Sequence, residues 1–149
     1  MLVMVALGTS GCGGSSGTQR PALLKSVQLS VDAWHRGDYL TFCGLLTPSL
    51  RAYVVRRSEQ VAGPRSPRLS CATGMSHVSS SVELLPTPIA SHVAKYLQTM
   101  SVSSRKAKMV FASPGSRRYV VVLSRENGRT WLVAAFVELG IHQRASAAG

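Results

Sequence analysis

The feature that most constrains the fold of this chain is a change of hydrophobic period part-way along it. Up to about residue 97 the apolar residues recur every three or four positions, and beyond it they move towards every second position. An amphipathic helix needs the first spacing and a half-buried strand needs the second. A run of helices followed by a run of strands predicts an α+β fold, with N-terminal helices gathered on one face of an antiparallel sheet of about four strands.

In the first half, Leu23, Leu24, Val27, Val31 and Trp34 mark one face of a helix over residues 21–36. Pro21 suits its first turn, and Gly37 suits the left-handed position just past its end. Asp38 is placed to cap a second helix carrying Leu40, Phe42, Cys43, Leu45 and Leu46. Thr47-Pro48 restarts the pattern as a cap plus a first-turn proline, opening a third helix expected to end near Arg56-Arg57. Residues 58–70 read as a loop centred on Gly63-Pro64-Arg65-Ser66-Pro67. Cys71 opens a further helix to about Leu85, Pro86-Thr87-Pro88 stops it, and a short helix reaches about Tyr96.

In the second half, Ala107, Met109 and Phe111 alternate with Lys106, Lys108 and Val110. Asn127-Gly128 is the strongest short hairpin signal in the chain, joining the apolar stretches 119–123 and 130–137. A two-residue loop there puts Val120, Val122, Trp131 and Val133 on one side, and Tyr119, Val121, Leu123, Leu132 and Phe136 on the other. Both sides are then apolar. One can pack on the helices; a homodimer, a protein partner or a small apolar ligand would cover the other.

The 149 residues are one domain's worth, enough to bury a core. Lys and Arg outnumber acids 17 to 6, for a net charge of +11, which favours anionic partners in general. The clusters Arg56-Arg57, Arg105-Lys106-Lys108 and Arg117-Arg118 are short and lack the interleaved aromatics of a single-strand binder, so no nucleic-acid partner is expected. They fit a solvated basic surface, or one facing anionic lipid or wall polymer.

At the start of the chain, residues 2–7 are apolar, Gly8-Thr9-Ser10-Gly11 are small, and Cys12 follows. This resembles a bacterial lipoprotein signal, in which small residues precede a Cys that becomes the lipidated N-terminus. The basic residues that ordinarily precede such a segment are expected from a start codon further upstream. The resemblance implies a signal segment over residues 1–12, lipidation of Cys12, a Gly/Ser linker over residues 13–20, a single domain over residues 21–142, and a flexible tail over residues 143–149. It places the domain at the outer face of a cell membrane, with the membrane as partner through the lipid. Lipidation of Cys12 also leaves Cys43 and Cys71 as one pair, which oxidising conditions would let bond. The other reading of these cysteines is buried free thiols in a cytosolic protein. Residues 13–17 match the pattern G-x-S-x-G, but that motif works only between a strand and a helix. In a Gly/Ser linker Ser15 is not expected to act as a nucleophile.

Taken together, Ala33-Trp34-His35-Arg36-Gly37-Asp38-Tyr39, then Cys43-Gly44-Leu45-Leu46-Thr47-Pro48, the second Cys and the hairpin closing on Gly128-Arg129-Thr130-Trp131 are similar to bacterial, especially actinobacterial, lipoproteins. These have a nuclear transport factor 2-like (cystatin-like) fold. The resemblance covers roughly residues 20–140 and implies helices over a curved sheet, a cone with an internal pocket. That fold serves enzymes, ligand binders and dimerisation modules alike. Trp34, Tyr39 and Trp131 are the pocket candidates, with core and corner packing as their plainer role. In the SnoaL-like cyclases and isomerases of this superfamily an Asp and a Tyr or His line the pocket. Here Asp38 or Glu83 beside His35 or His77 would be the acid–base pair, although capping suffices to account for Asp38.

His35, His77, His92 and His142 show no ligand-like spacing, so no metal or other cofactor is expected. The expected function is a membrane-anchored extracytoplasmic domain, non-enzymatic, that binds a small apolar ligand or a protein through its pocket or sheet face. The alternatives are a SnoaL-like enzyme and a structural envelope protein with a basic surface.

Overall fold

The computed structural model describes residues 16–63, 68–79, 84–112, 117–128 and 130–139. Cys12, Ser15, Glu83 and His142 lie outside them, as do the signal segment and the tail. Six helices precede four strands: α1 (Ser16–His35), α2 (Tyr39–Gly44), α3 (Pro48–Ala62), α4 (Cys71–Val78), α5 (Thr87–Ser91), α6 (Val93–Tyr96), β1 (Leu97–Val102), β2 (Lys106–Ala112), β3 (Arg118–Glu126) and β4 (Thr130–Leu139). The strands form one antiparallel meander in the order β1-β2-β3-β4. The α+β architecture of helices packed with a four-stranded antiparallel sheet is therefore present.

The helix ends follow from local chemistry. α1 closes on Gly37 at φ +68°, with Asp38 N–H donating to Ala33 O (2.9 Å) and Gly37 N–H to Trp34 O (3.0 Å). A left-handed glycine with this bond pair turns the chain sharply and satisfies two terminal carbonyls. Asp38 Oδ1 then accepts from the Thr41 N–H at 3.1 Å, and Thr47 Oγ1 accepts from the Leu50 N–H at 3.3 Å. Ser70 Oγ caps α4 by accepting from the Thr73 N–H at 3.2 Å.

Three helix boundaries differ from the sequence expectation, and the simplest is α4, which ends at Val78 where a helix to about Leu85 is expected, Leu84 and Leu85 being non-helical. α1 begins at Ser16 and carries Pro21 inside it, so residues 16–20 are helical where a linker is expected. Because Pro21 has no N–H, it removes only one early rung, close enough to the N-terminus for the helix to survive. α3 runs on to Ala62, past the charged pair Arg56-Arg57. Its last turns are held by tertiary packing: Ser58 is fully buried and lies against Gly74 of α4. A Cβ on Gly74 would stand 2.5 Å from Ser58 Oγ, so α3 and α4 approach as closely as they do only because residue 74 lacks one.

The sheet register also differs, and the reason is one residue. Glu126 pairs with Thr130, so the hairpin loop holds three residues where a two-residue loop is expected, with Asn127 at φ +51° and Gly128 at φ +70°. A shift of one residue moves every side chain to the other face. Trp131 therefore pairs with Arg125, and Val133 with Leu123. A bulge at Ala134 then brings Ala135 opposite Val122 and Phe136 opposite Val121. Trp131 and Val133 thus join Tyr119, Val121, Leu123 and Phe136 on one face, while Leu132 moves to the face of Val120 and Val122. The result is one coherent inner face, continued by Ala107, Met109 and Phe111 of β2.

That inner face packs against Leu23, Val27, Val31 and Trp34 of α1, together with Phe42, Leu46, Leu85, Ile89 and Val93. Gln28 fastens α1 to α5 through Nε2, which donates to Ala90 O at 2.7 Å. The outer face is less bare than expected. Val120 is only 6 % exposed without belonging to the core cluster, because it sits between Val110 and Val137 on neighbouring strands. Val137 and Leu139, at 46 % and 41 % exposure, are the large apolar side chains that remain exposed there.

One more contact joins the two layers. Thr47 N–H donates to Val133 O, and Val133 N–H donates to Leu45 O, both at 2.8 Å, as Leu46 lies parallel to the outer edge of β4. The start of α3 is thereby fixed over the end of the sheet.

Candidate functional site

The seating of α3 on β4 leaves a gap between three helices and the sheet. α3 presents Leu50, Tyr53, Val54, Arg57 and Val61 at intervals of three and four, which is one stripe of a helix. Phe42 and Leu46 come from the α2 side, Met75 and Val78 from α4, Leu84 from the segment after it, and Phe136 from β4. Together they enclose a cavity of about 420 Å³, within the size range of small-molecule sites.

Depth sorts the α3 stripe into two rows. Leu50 and Val54 are half-buried against the core. Tyr53 and Val61 stand at the mouth, 57 % and 61 % exposed, with the exposed Arg57 between them one turn from each. The described walls are otherwise aliphatic, aromatic or thioether. Arg57 is their one charged residue, and the Tyr53 hydroxyl is their other ionisable group. Arg57 Nη1 donates to Gln60 Oε1 at 3.2 Å, and among the described residues the guanidinium has no carboxylate partner.

The Cys43–Cys71 disulfide is formed, with the Cα atoms 6.1 Å apart. It ties α2 to the first residue of α4, so two walls of the cavity are covalently joined behind Phe42 and Met75.

The pocket candidates read from the sequence lie elsewhere. Trp34 is buried, with its ring edge-on to Tyr39 (centroids 5.8 Å apart) and tilted against Phe42 (5.3 Å). Tyr39 closes the α1–α2 corner. Trp131 is buried at the hairpin end of the sheet, with the Arg125 guanidinium 4.8 Å above its ring. The Trp131 indole N–H and Arg125 Nε have no hydrogen-bond partner there. None of the three lines the cavity, and their aromatic bulk fills the core and corner positions it suits. Arg57 aside, the residues that do line it carry no site signal in the sequence, because each looks like ordinary helix or strand core. The one available signal was Arg57 lying on the apolar stripe of α3.

Of the acid–base groups weighed from the sequence, Glu83 lies outside the described residues, and Asp38 is paired with neither histidine. His35 and His77 are exposed, and Asp38 is engaged at the start of α2. The side chain and then the backbone N–H of Thr41 hold the Asp38 carboxyl below its usual 3.8; desolvation opposes them, and Arg36 adds the least of the lowering effects. Among the described residues no carboxylate or imidazole lines the cavity, and no group of three or more His, Cys, Asp or Glu side chains is placed to hold a metal ion. No helix among the described residues is long and apolar enough to cross a membrane.

Compared with protein-family models, with curated proteins and with solved structures, the chain gives no match.

Proposed function

We propose that this protein is a lipid-anchored, extracytoplasmic domain that binds a small apolar ligand in the cavity between α2, α3, α4 and β4. The observation that carries this reading is the composition of the cavity: about 420 Å³, with Arg57 the one charged residue among its described lining. Small-molecule sites are mostly apolar concavities with few polar groups, and this one has that character. The described lining also favours binding over acid–base catalysis, since it holds no carboxylate or imidazole to exchange a proton near neutral pH and its one phenol, Tyr53, stands at the exposed mouth. The Cys43–Cys71 bond supports the address, because disulfides persist in oxidising compartments. The apolar segment before Cys12 supports the anchor. The architecture is compatible with the nuclear transport factor 2-like fold that the sequence resembles.

The test is fluorescence enhancement of the neutral apolar dye 1-aminoanthracene on the full chain. Saturable enhancement that disappears in the cavity-filling variant Val54→Trp, with the circular dichroism unchanged, is the expected result. Equal enhancement in both proteins places the dye elsewhere and removes the basis of the reading. The address is tested separately, by mass spectrometry of the mature protein from its host. A lipidated Cys12 at the N-terminus is expected, and an intact Met1 overturns the anchor.

A further inference from the structure

We infer that the ligand is an anionic amphiphile, with its hydrocarbon part in the cavity and its carboxylate held at the mouth by Arg57. This rests on the reading of the cavity as a ligand site and names the class of molecule that fits it. The argument begins with where charge stands relative to depth. Leu50 and Val54 line the interior, whereas Tyr53, Arg57 and Val61 follow one another at single-turn spacing along the rim. A bound chain would therefore lie against carbon along most of its length and meet a cation and a phenol where it reaches water.

The cation is also free to act. Of the five N–H donors of a guanidinium, the hydrogen bond to Gln60 occupies one on Nη1. The remaining donors have the fork geometry that matches a carboxylate in two parallel bonds. Gln60 steadies the group without neutralising it, since an amide oxygen carries no net charge. A positively charged headgroup would be repelled by Arg57 and by the chain's net +11. A neutral headgroup would leave the fork to water. Charge complementarity thus selects the anion, and the apolar lining selects a hydrocarbon body.

Arg56 provides an internal control, because it sits beside Arg57 in sequence but faces a different depression, with Glu59, Gln60 and Gly63. Substituting it changes net charge equally without touching the cavity.

The experiment is displacement of 1-aminoanthracene from the full, disulfide-bonded chain by laurate, 1-dodecanol and dodecyltrimethylammonium, all below their micelle concentrations. Laurate is expected to displace the dye at about five- to tenfold lower concentration than dodecanol, the range of one charge-assisted pair at a solvated rim. The cation should be the weakest of the three. Arg57→Gln should abolish the preference for laurate, while Arg57→Lys retains part of it and Arg56→Gln retains all of it. Equal displacement by laurate and dodecanol, or a preference that survives Arg57→Gln, overturns the anionic headgroup and leaves the cavity reading standing. Displacement by none of the three, with 1-aminoanthracene still bound in the cavity, also overturns the amphiphile. Failure of the dye to bind in the cavity overturns both.

Discussion

Reduction of the Cys43–Cys71 bond is the perturbation whose size follows most directly from the structure. The bond joins positions 28 apart and closes a loop that contains all of α3. Cross-linking removes freedom from the unfolded chain by about 2.1 + 1.5R ln n cal/mol/K, which for this loop is about 12 cal/mol/K, or about 3.5 kcal/mol at 25 °C. The folded state changes little by comparison, since α2 and α4 pack on each other whether or not the sulfurs are joined. Against a total stability of about 5–15 kcal/mol for a domain of this kind, the loss is large. It corresponds to a fall of roughly 10–15 °C in Tm. The assay is urea unfolding of oxidised and phosphine-reduced protein, followed by circular dichroism. Reduction is preferable to substitution because Cys43 is buried, and trimming it would add a packing loss to the entropic one. The reduced protein should also show a steeper denaturant dependence, as its unfolded state exposes more surface. Coincident midpoints for the two forms would refute the reasoning, because the loop would then not be constrained by the bond in the unfolded chain.

Four further outcomes are expected. Gly74→Ala should destabilise the fold by about 1–3 kcal/mol in chemical unfolding, since the new methyl meets Ser58. Adding Ser58→Ala should recover only part, because the Ser58 Cβ itself stands 2.9 Å from the added atom. Phe111→Ala, at a fully buried position in β2, should cost about 3–5 kcal/mol by the same assay. Removing the α3 cap with Thr47→Ala should cost about 1 kcal/mol. Finally, the lowered carboxyl of Asp38 makes its contribution fully present above 3.8 and lost as pH falls through its depressed folded value. The wild-type unfolding midpoint should therefore fall more between neutral pH and about pH 3 than that of Asp38→Asn, and parallel curves would refute the assignment.

What could be read from the sequence was what neighbouring residues decide among themselves. Gly37, Asp38, Thr47-Pro48 and Asn127-Gly128 each specify a turn or cap through their own backbone preferences, and each sits where expected. Face assignment in the hairpin failed because it depends on an integer. Asn-Gly serves both two- and three-residue loops, and one residue of difference reverses the sheet. The end of α3 is not decided locally, because Arg56-Arg57 looks like a polar boundary until Gly74 is known to lie under Ser58. The cavity was illegible for the same reason: its walls come from four elements that meet only in the folded chain. Of the lining, only Arg57 stood out of pattern.

The pair of hydrogen bonds between Val133 and residues 45–47 has a consequence for the order in which the chain can finish folding. A ribosome delivers α2 and the start of α3 well before it delivers β4, so the Leu45 carbonyl and Thr47 N–H wait for partners nearly ninety positions further along the chain, at Val133. Contacts this distant in sequence form late and carry a high closure cost. The helical half is thus left incomplete until the last strand arrives. A seam that depends on β4 for its hydrogen bonds stays open until β4 has been made, and closes only then.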